Sequence, residues 1–106
     1  MSVHLAHIAP AFAEELAALL RADGELALAE QVLTAEVVDR CRCGEDWCAS
    51  FYTAARPLGG YGPALESLDL EPSVGSAVLD VVAGRLMHVE VLHHAAFRRA
   101  LDAAIP

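Results

Sequence analysis

Three cysteines stand within eight residues of this 106-residue chain, as Cys41-Arg42-Cys43-Gly44-Glu45-Asp46-Trp47-Cys48. Thiolates are soft donors, and a structural Zn²⁺ site takes four sulfur or nitrogen ligands in a tetrahedron. Cys41, Cys43 and Cys48 offer three of them, and His88, His93 or His94 could supply the fourth. The spacing departs from the Cys-x-x-Cys knuckle of zinc ribbons, because residues two apart on an extended strand lie about 6.5–7 Å apart at Cα. Two other readings stand beside zinc. Cysteine packs readily as a small buried hydrophobe, and a Cys43–Cys48 disulfide or another redox role is geometrically open.

The elements that must position these thiols follow from the surrounding pattern. From Glu36 the apolar period changes from 3.6 to 2, which predicts a strand over Glu36–Cys43, a second over Cys48–Thr53, and a hairpin tip at Gly44–Trp47. With a four-residue tip, Cys43 faces Cys48 and Cys41 faces Ser50, so all three thiols share one face of the hairpin. Arg40 and Arg42 alternate to the other face, where they lower a thiol pKa only weakly, which argues against a strongly activated nucleophile.

Outside the hairpin the chemistry thins. His88 falls near Asp80 and Glu90, an arrangement that suits a solvated cross-strand contact better than an acid–base pair. No nucleophile has the partners of a triad. Gly59-Gly60-Tyr61-Gly62 lacks the lysine and the strand-to-helix context of a phosphate loop. Trp47 at the tip and Tyr61 in the glycine-rich stretch are candidate binding contacts, because large aromatics on loops anchor partners, and Arg56 could pair with an acidic ligand group.

The first third reads as a helical hairpin. Pro10 suits a first helical position, Phe12, Leu16, Leu19 and Leu20 form a stripe, and Gly24 ends the helix before a second one with Leu26, Ala29, Val32 and Leu33. Residues 55–63 form a loop, and Leu65–Glu71 alternates as a half-exposed strand until Pro72. In the last hairpin a three-residue Val82-Ala83-Gly84 loop places Ala77, Leu79, Val81, Met87, Val89 and Val91 on one face and Asp80, Leu86, His88 and Glu90 on the other. A two-residue Ala83-Gly84 loop would force Ala83 to positive φ, so the odd-length loop is preferred. Phe97, Leu101 and Ile105 mark a closing helix from about His94. The expected fold is α+β: an N-terminal helical hairpin, a mainly antiparallel sheet of about five strands and a C-terminal helix, in a single domain over 1–106.

Composition sets the partners. Fifteen acids against seven arginines and no lysine give a net charge of −8, with the bases dispersed. Nucleic acid is disfavoured as a partner, since its binding needs a concentrated basic surface, and an anionic membrane is disfavoured on the same ground. No apolar run approaches a membrane span, and the first residues lack the charged region of an export signal, so the expected compartment is the cytoplasm, where thiols stay reduced.

The hairpin Cys41-x-Cys43-Gly44-x-x-x-Cys48 and the later Val81-Val82-Ala83-Gly84-Arg85-Leu86 leading to Val89-Glu90-Val91 resemble a group of small proteins, mostly from GC-rich bacteria. These carry a Cys-x-Cys-Gly hairpin, an Asp-Gly-Arg hairpin and a Val/Ile-Glu-Val/Ile strand. The resemblance spans about residues 36–92, implies the sheet and carries no assigned activity. Here Ala83 stands where the group often has Asp. Two function classes follow. One is a small non-catalytic binding or protein-interaction domain, with a basic protein partner or self-association through a sheet edge. The other is a zinc-binding or thiol-redox protein built on the cysteine hairpin.

Overall fold

The structure is a computed structural model that describes residues 2–106. Two short elements open it, a strand β1 (Val3–His4) and one turn of helix α1 (Leu5–Ile8), and both escape the sequence pattern. Helix α2 (Pro10–Ala22) begins on Pro10 and α3 (Leu26–Thr34) follows a reversal at Gly24, whose φ is +79°. This is the expected helical hairpin. After it come β2 (Glu36–Val37), β3 (Asp39–Arg40), β4 (Phe51–Tyr52), β5 (Leu65–Leu70), β6 (Ser76–Val82), β7 (Arg85–Leu92) and helix α4 (Ala95–Ala104). Among the described residues no helix is long and apolar enough to cross a membrane.

The strands form an antiparallel five-stranded sheet in the order β3-β4-β7-β6-β5 and a two-stranded sheet of β1 and β2. The α+β class is therefore as expected, but the strand anticipated over Glu36–Cys43 is divided. Val3 pairs with Val37 and the Leu5 N–H donates to Ala35 O at 2.9 Å, so the N-terminal segment captures the first half of that strand. Only Asp39 and Arg40 remain to pair with Tyr52 and Phe51. The partner strand is likewise shorter than Cys48–Thr53, with Cys48 joined instead to Leu92 of β7 by a single bridge.

The β6–β7 turn overturns the three-residue loop. Val82 pairs with Arg85, so the loop is Ala83-Gly84, with φ of +50° and +81°. Two left-handed residues are what a type I′ turn needs, and its twist matches the flanking strands. The facing problem is solved elsewhere. Val81 pairs with Leu86 but Asp80 pairs with His88, so Met87 is one extra residue, a β-bulge. The bulge turns Leu86 into the core, where Met87 was expected, and restores Val89 and Val91 to the inner face. Its freed groups are satisfied: Leu86 N–H donates to Gln31 Oε1 at 2.8 Å, Gln31 Nε2 donates to Gly84 O at 2.7 Å, and Thr53 N–H donates to Met87 O at 3.0 Å.

Helices cover one face of the sheet. Phe12, Leu16, Leu20 and Val32 from the helical hairpin and Phe97 and Leu101 from α4 are buried with Phe51, Leu79, Val89 and Val91 of the sheet. Phe97 of α4 ties α2 and the sheet together, its ring 4.6 Å from Phe12 and 5.6 Å from Phe51. Each such buried side chain contributes about 1.5–3 kcal/mol. The chain turns from β7 into α4 through His93 at φ +60° and His94, whose Nδ1 accepts from Phe97 N–H at 3.2 Å as an N-cap. Gly75 lies against this corner so closely that a Cβ would stand 2.1 Å from Leu92 O.

Candidate metal centre

The outer face of the sheet, opposite the helices, carries the cysteines. The register Asp39↔Tyr52 and Arg40↔Phe51, extended along the hairpin, sets Cys41 opposite Ser50 and Cys43 opposite Cys48, as the spacing predicts. Cys41 N–H donates to Ser50 O at 2.8 Å, Gly44 takes φ +82°, and Cys48 N–H closes the tip on Glu45 O at 3.2 Å. The three sulfurs all lie within 4.8 Å of one another. Sulfurs bound about 2.3 Å from a tetrahedral zinc are separated by about 3.8 Å, so small side-chain rotations close the cluster around an ion.

None of the three belongs to the core. Cys41 and Cys48 are half-buried, Cys43 is exposed, and all are free thiols. Simple hydrophobic packing therefore does not account for their placement. Burial pushes the Cys41 thiol above its ordinary pKa, and the neighbouring sulfurs push the same way. Burial acts on Cys48 too, but hydrogen bonds from the Ser50 hydroxyl and backbone outweigh it and hold that thiol below the ordinary value. Ser50 Oγ is 3.4 Å from Cys48 Sγ and accepts from Val91 N–H at 3.1 Å, which leaves its own proton for the thiolate. Ser50 is also the one buried polar residue among those described.

Helix α4 fixes the hairpin from below. Arg98 Nη1 donates to Cys48 O at 2.8 Å and to Glu45 O, while its Nε holds Asp102 at 2.9 Å. Asp102 Oδ1 is also 3.7 Å from Arg40 Nε, which donates to Ile105 O at 2.7 Å. Both strands of the hairpin are thus tied to α4, one through Arg40 and one through Arg98. The sequence pattern sets Ser50 opposite Cys41 but gives no role to it, or to Arg98 and Asp102. The Arg98–Asp102 spacing of four on a helix is a visible ion-pair signal, but its reach to residues 45 and 48 is a tertiary fact.

Beside the thiols lies a cleft of about 660 Å³ lined by Arg40, Cys41, Arg42, Cys43, Tyr52 and Arg56, among others. Arg42 pairs with Asp39 at 3.0 Å and donates to Pro106 O at 3.1 Å. Arg56 sits 5.9 Å from the Tyr52 ring centroid and forms no ion pair among the described residues.

The other candidates are placed apart from the sulfurs. His88 is opposite Tyr52, four positions from Leu92, the residue to which Cys48 is bridged, or about 13 Å along the strand. It completes a different row across the sheet: Ser67 Oγ donates to Asp80 Oδ1 at 2.7 Å, and Asp80 Oδ2 meets His88 Nδ1 at 2.9 Å. The structure thus brings Cys41, Cys43 and Cys48 together without His88. His93 and His94 are also outside the cluster, His93 with its ring 6.1 Å from that of Trp47 and His94 committed to its cap. Trp47 is 47% exposed at the tip. The Tyr61 hydroxyl is buried without a hydrogen-bond partner, and desolvation raises its pKa, with Tyr52 and Asp80 adding to the shift.

No protein-family model matches the chain, and no curated protein or solved structure matches it.

Proposed function

We propose that this protein is a small zinc-binding domain in which Cys41, Cys43 and Cys48 hold the metal at the tip of the β3–β4 hairpin. The reading rests on one observation: three free thiols within 4.8 Å, outside the core, on a hairpin whose backbone is fixed from two sides. Zinc favours this donor set, and thiolate ligation persists where thiols stay reduced, as in the cytoplasm. Metal bound here ties the two-residue strand β3 to β4 and shapes the outer face, which agrees with a non-catalytic interaction domain. The net charge of −8 favours a basic protein partner, and the six-residue edge strand β5 offers a route to self-association.

Elemental analysis of the purified protein together with thiol titration tests the reading. Near-stoichiometric zinc is expected, with three thiols that react slowly until a chelator is added. Metal-free protein that stays free of metal when zinc is supplied, and whose thiols ignore a chelator, refutes it.

A further inference from the structure

The three sulfurs form an incomplete set. Among the described residues no histidine or carboxylate joins them in a common group. Protein sites with three ligands keep the fourth position for an exogenous group, whereas closed structural sites supply all four from the chain. The surroundings of this position are not neutral. Cys41 and Cys43 line the 660 Å³ cleft, within the range of small-molecule sites. Arg40, Arg42 and Arg56 line it as well; Arg42 is paired with Asp39 and Arg40 lies 3.7 Å from Asp102, so Arg56 is the one of the three without an ion pair among the described residues. A divalent ion with three thiolates carries a charge of −1, and the unpaired Arg56 guanidinium offsets part of the charge of a further anion in the cleft.

We infer that the cleft admits a small thiol bearing a carboxylate, its sulfur completing the metal set and its carboxylate meeting Arg56. This rests on the zinc reading above. A soft metal position selects sulfur. Arg56, without an ion pair and resting on Tyr52, presents a planar donor fork suited to a carboxylate. On binding, the thiol releases its proton to solvent and its sulfur bonds the metal; no electrons are exchanged.

The full-length reduced chain loaded with Co²⁺ under anaerobic conditions tests this with mercaptoacetate as the probe. A thiolate-to-cobalt charge-transfer band before any probe is added reports the three-cysteine site. Its absence defeats the zinc reading itself and is thereby distinguished from failure of the inference. With the band present, mercaptoacetate should raise its intensity by about one third, the step from three thiolates to four. A band that ignores excess mercaptoacetate overturns the inference, whether the fourth ligand comes from within the chain or from a second copy in a metal-dependent dimer. Stripping of cobalt by the probe overturns it too. Neutral 2-mercaptoethanol should bind more weakly, and R56Q should weaken mercaptoacetate by about fivefold while leaving 2-mercaptoethanol unchanged. An equal effect on both probes rejects the carboxylate contact.

Discussion

The Arg98 side chain supplies a sharp test of how the thiols are held. In R98A the carbonyls of Glu45 and Cys48 lose a charged donor, and Asp102 loses its partner at 2.9 Å. Hydrogen bonds from charged donors contribute about 1.5–3 kcal/mol each when buried. Arg98 is 23% exposed, so water replaces part of what is lost and the ion pair itself adds little. The net cost to the metal-free fold should be about 1–3 kcal/mol, a fall in Tm of roughly 4–12 °C for a domain of this size. The second effect is local. Cys48 and the tip lose their tie to α4, so zinc must order a looser loop, and residues that orient ligands typically change metal affinity by about 10–100-fold. Competition with a chromophoric chelator measures that affinity, and thermal unfolding measures the stability. R98K should restore part of both. A variant with lowered Tm and unchanged zinc affinity would show that the α4 clamp stabilises the domain without positioning the thiols.

Other outcomes follow from the same geometry. In metal-free protein, alkylation followed by mass mapping should give Cys48 a lower pH midpoint than Cys41, because Cys48 is held below and Cys41 above the ordinary thiol value. S50A should raise the Cys48 midpoint and, with Val91 N–H left unpaired, cost about 1–3 kcal/mol; an unchanged midpoint would refute the role given to the hydroxyl. Ala83 sits at φ +50° in a type I′ turn, so A83N should stabilise by about 0.5–1 kcal/mol, read as a higher urea midpoint with unchanged m-value. G75A should cost at least about 2 kcal/mol, since it adds a methyl against Leu92 O at a φ of +67°. Near-wild-type denaturation would refute that close approach.

Local signals gave a faithful outline where one residue decides the geometry. Pro10 and Gly24 bound the first long helix, and His94 caps the last. The cysteine hairpin was legible because its register depends only on tip length and alternation, and both held through Arg40↔Phe51. The turn at Ala83 departs from the expected three-residue loop because the bulge at Met87 reconciles a two-residue turn with the buried faces, which offsets the strain of a left-handed alanine. Nothing in the local pattern announces that bulge, since its freed Leu86 N–H is satisfied from α3 by Gln31. The division of the strand at Val38 was hidden likewise, because it depends on the Val3–Val37 pairing with a segment more than thirty residues away. At the site, the ligands were readable and their supports were not: Arg98 and Arg40 act across 50 to 66 positions of sequence.

The two arms of the hairpin differ in what they are fastened to. Cys48 is bridged to Leu92 of β7, a central strand, and its neighbour Ala49 donates to Val91 O at 2.8 Å. Cys41 and Cys43 extend from β3, a two-residue strand at the border of the sheet. Without metal, amide hydrogens from Arg42 to Gly44 should exchange with solvent in fast local openings, while those of Cys41, Ala49 and Val91, bonded across the strands, wait for larger ones. The centre then has one sulfur on a strand held within the sheet and two at the end of an edge strand whose last pair is Arg40 with Phe51, and an ion joining them would have to order residues 42–44, a cost in conformational entropy set against its capture.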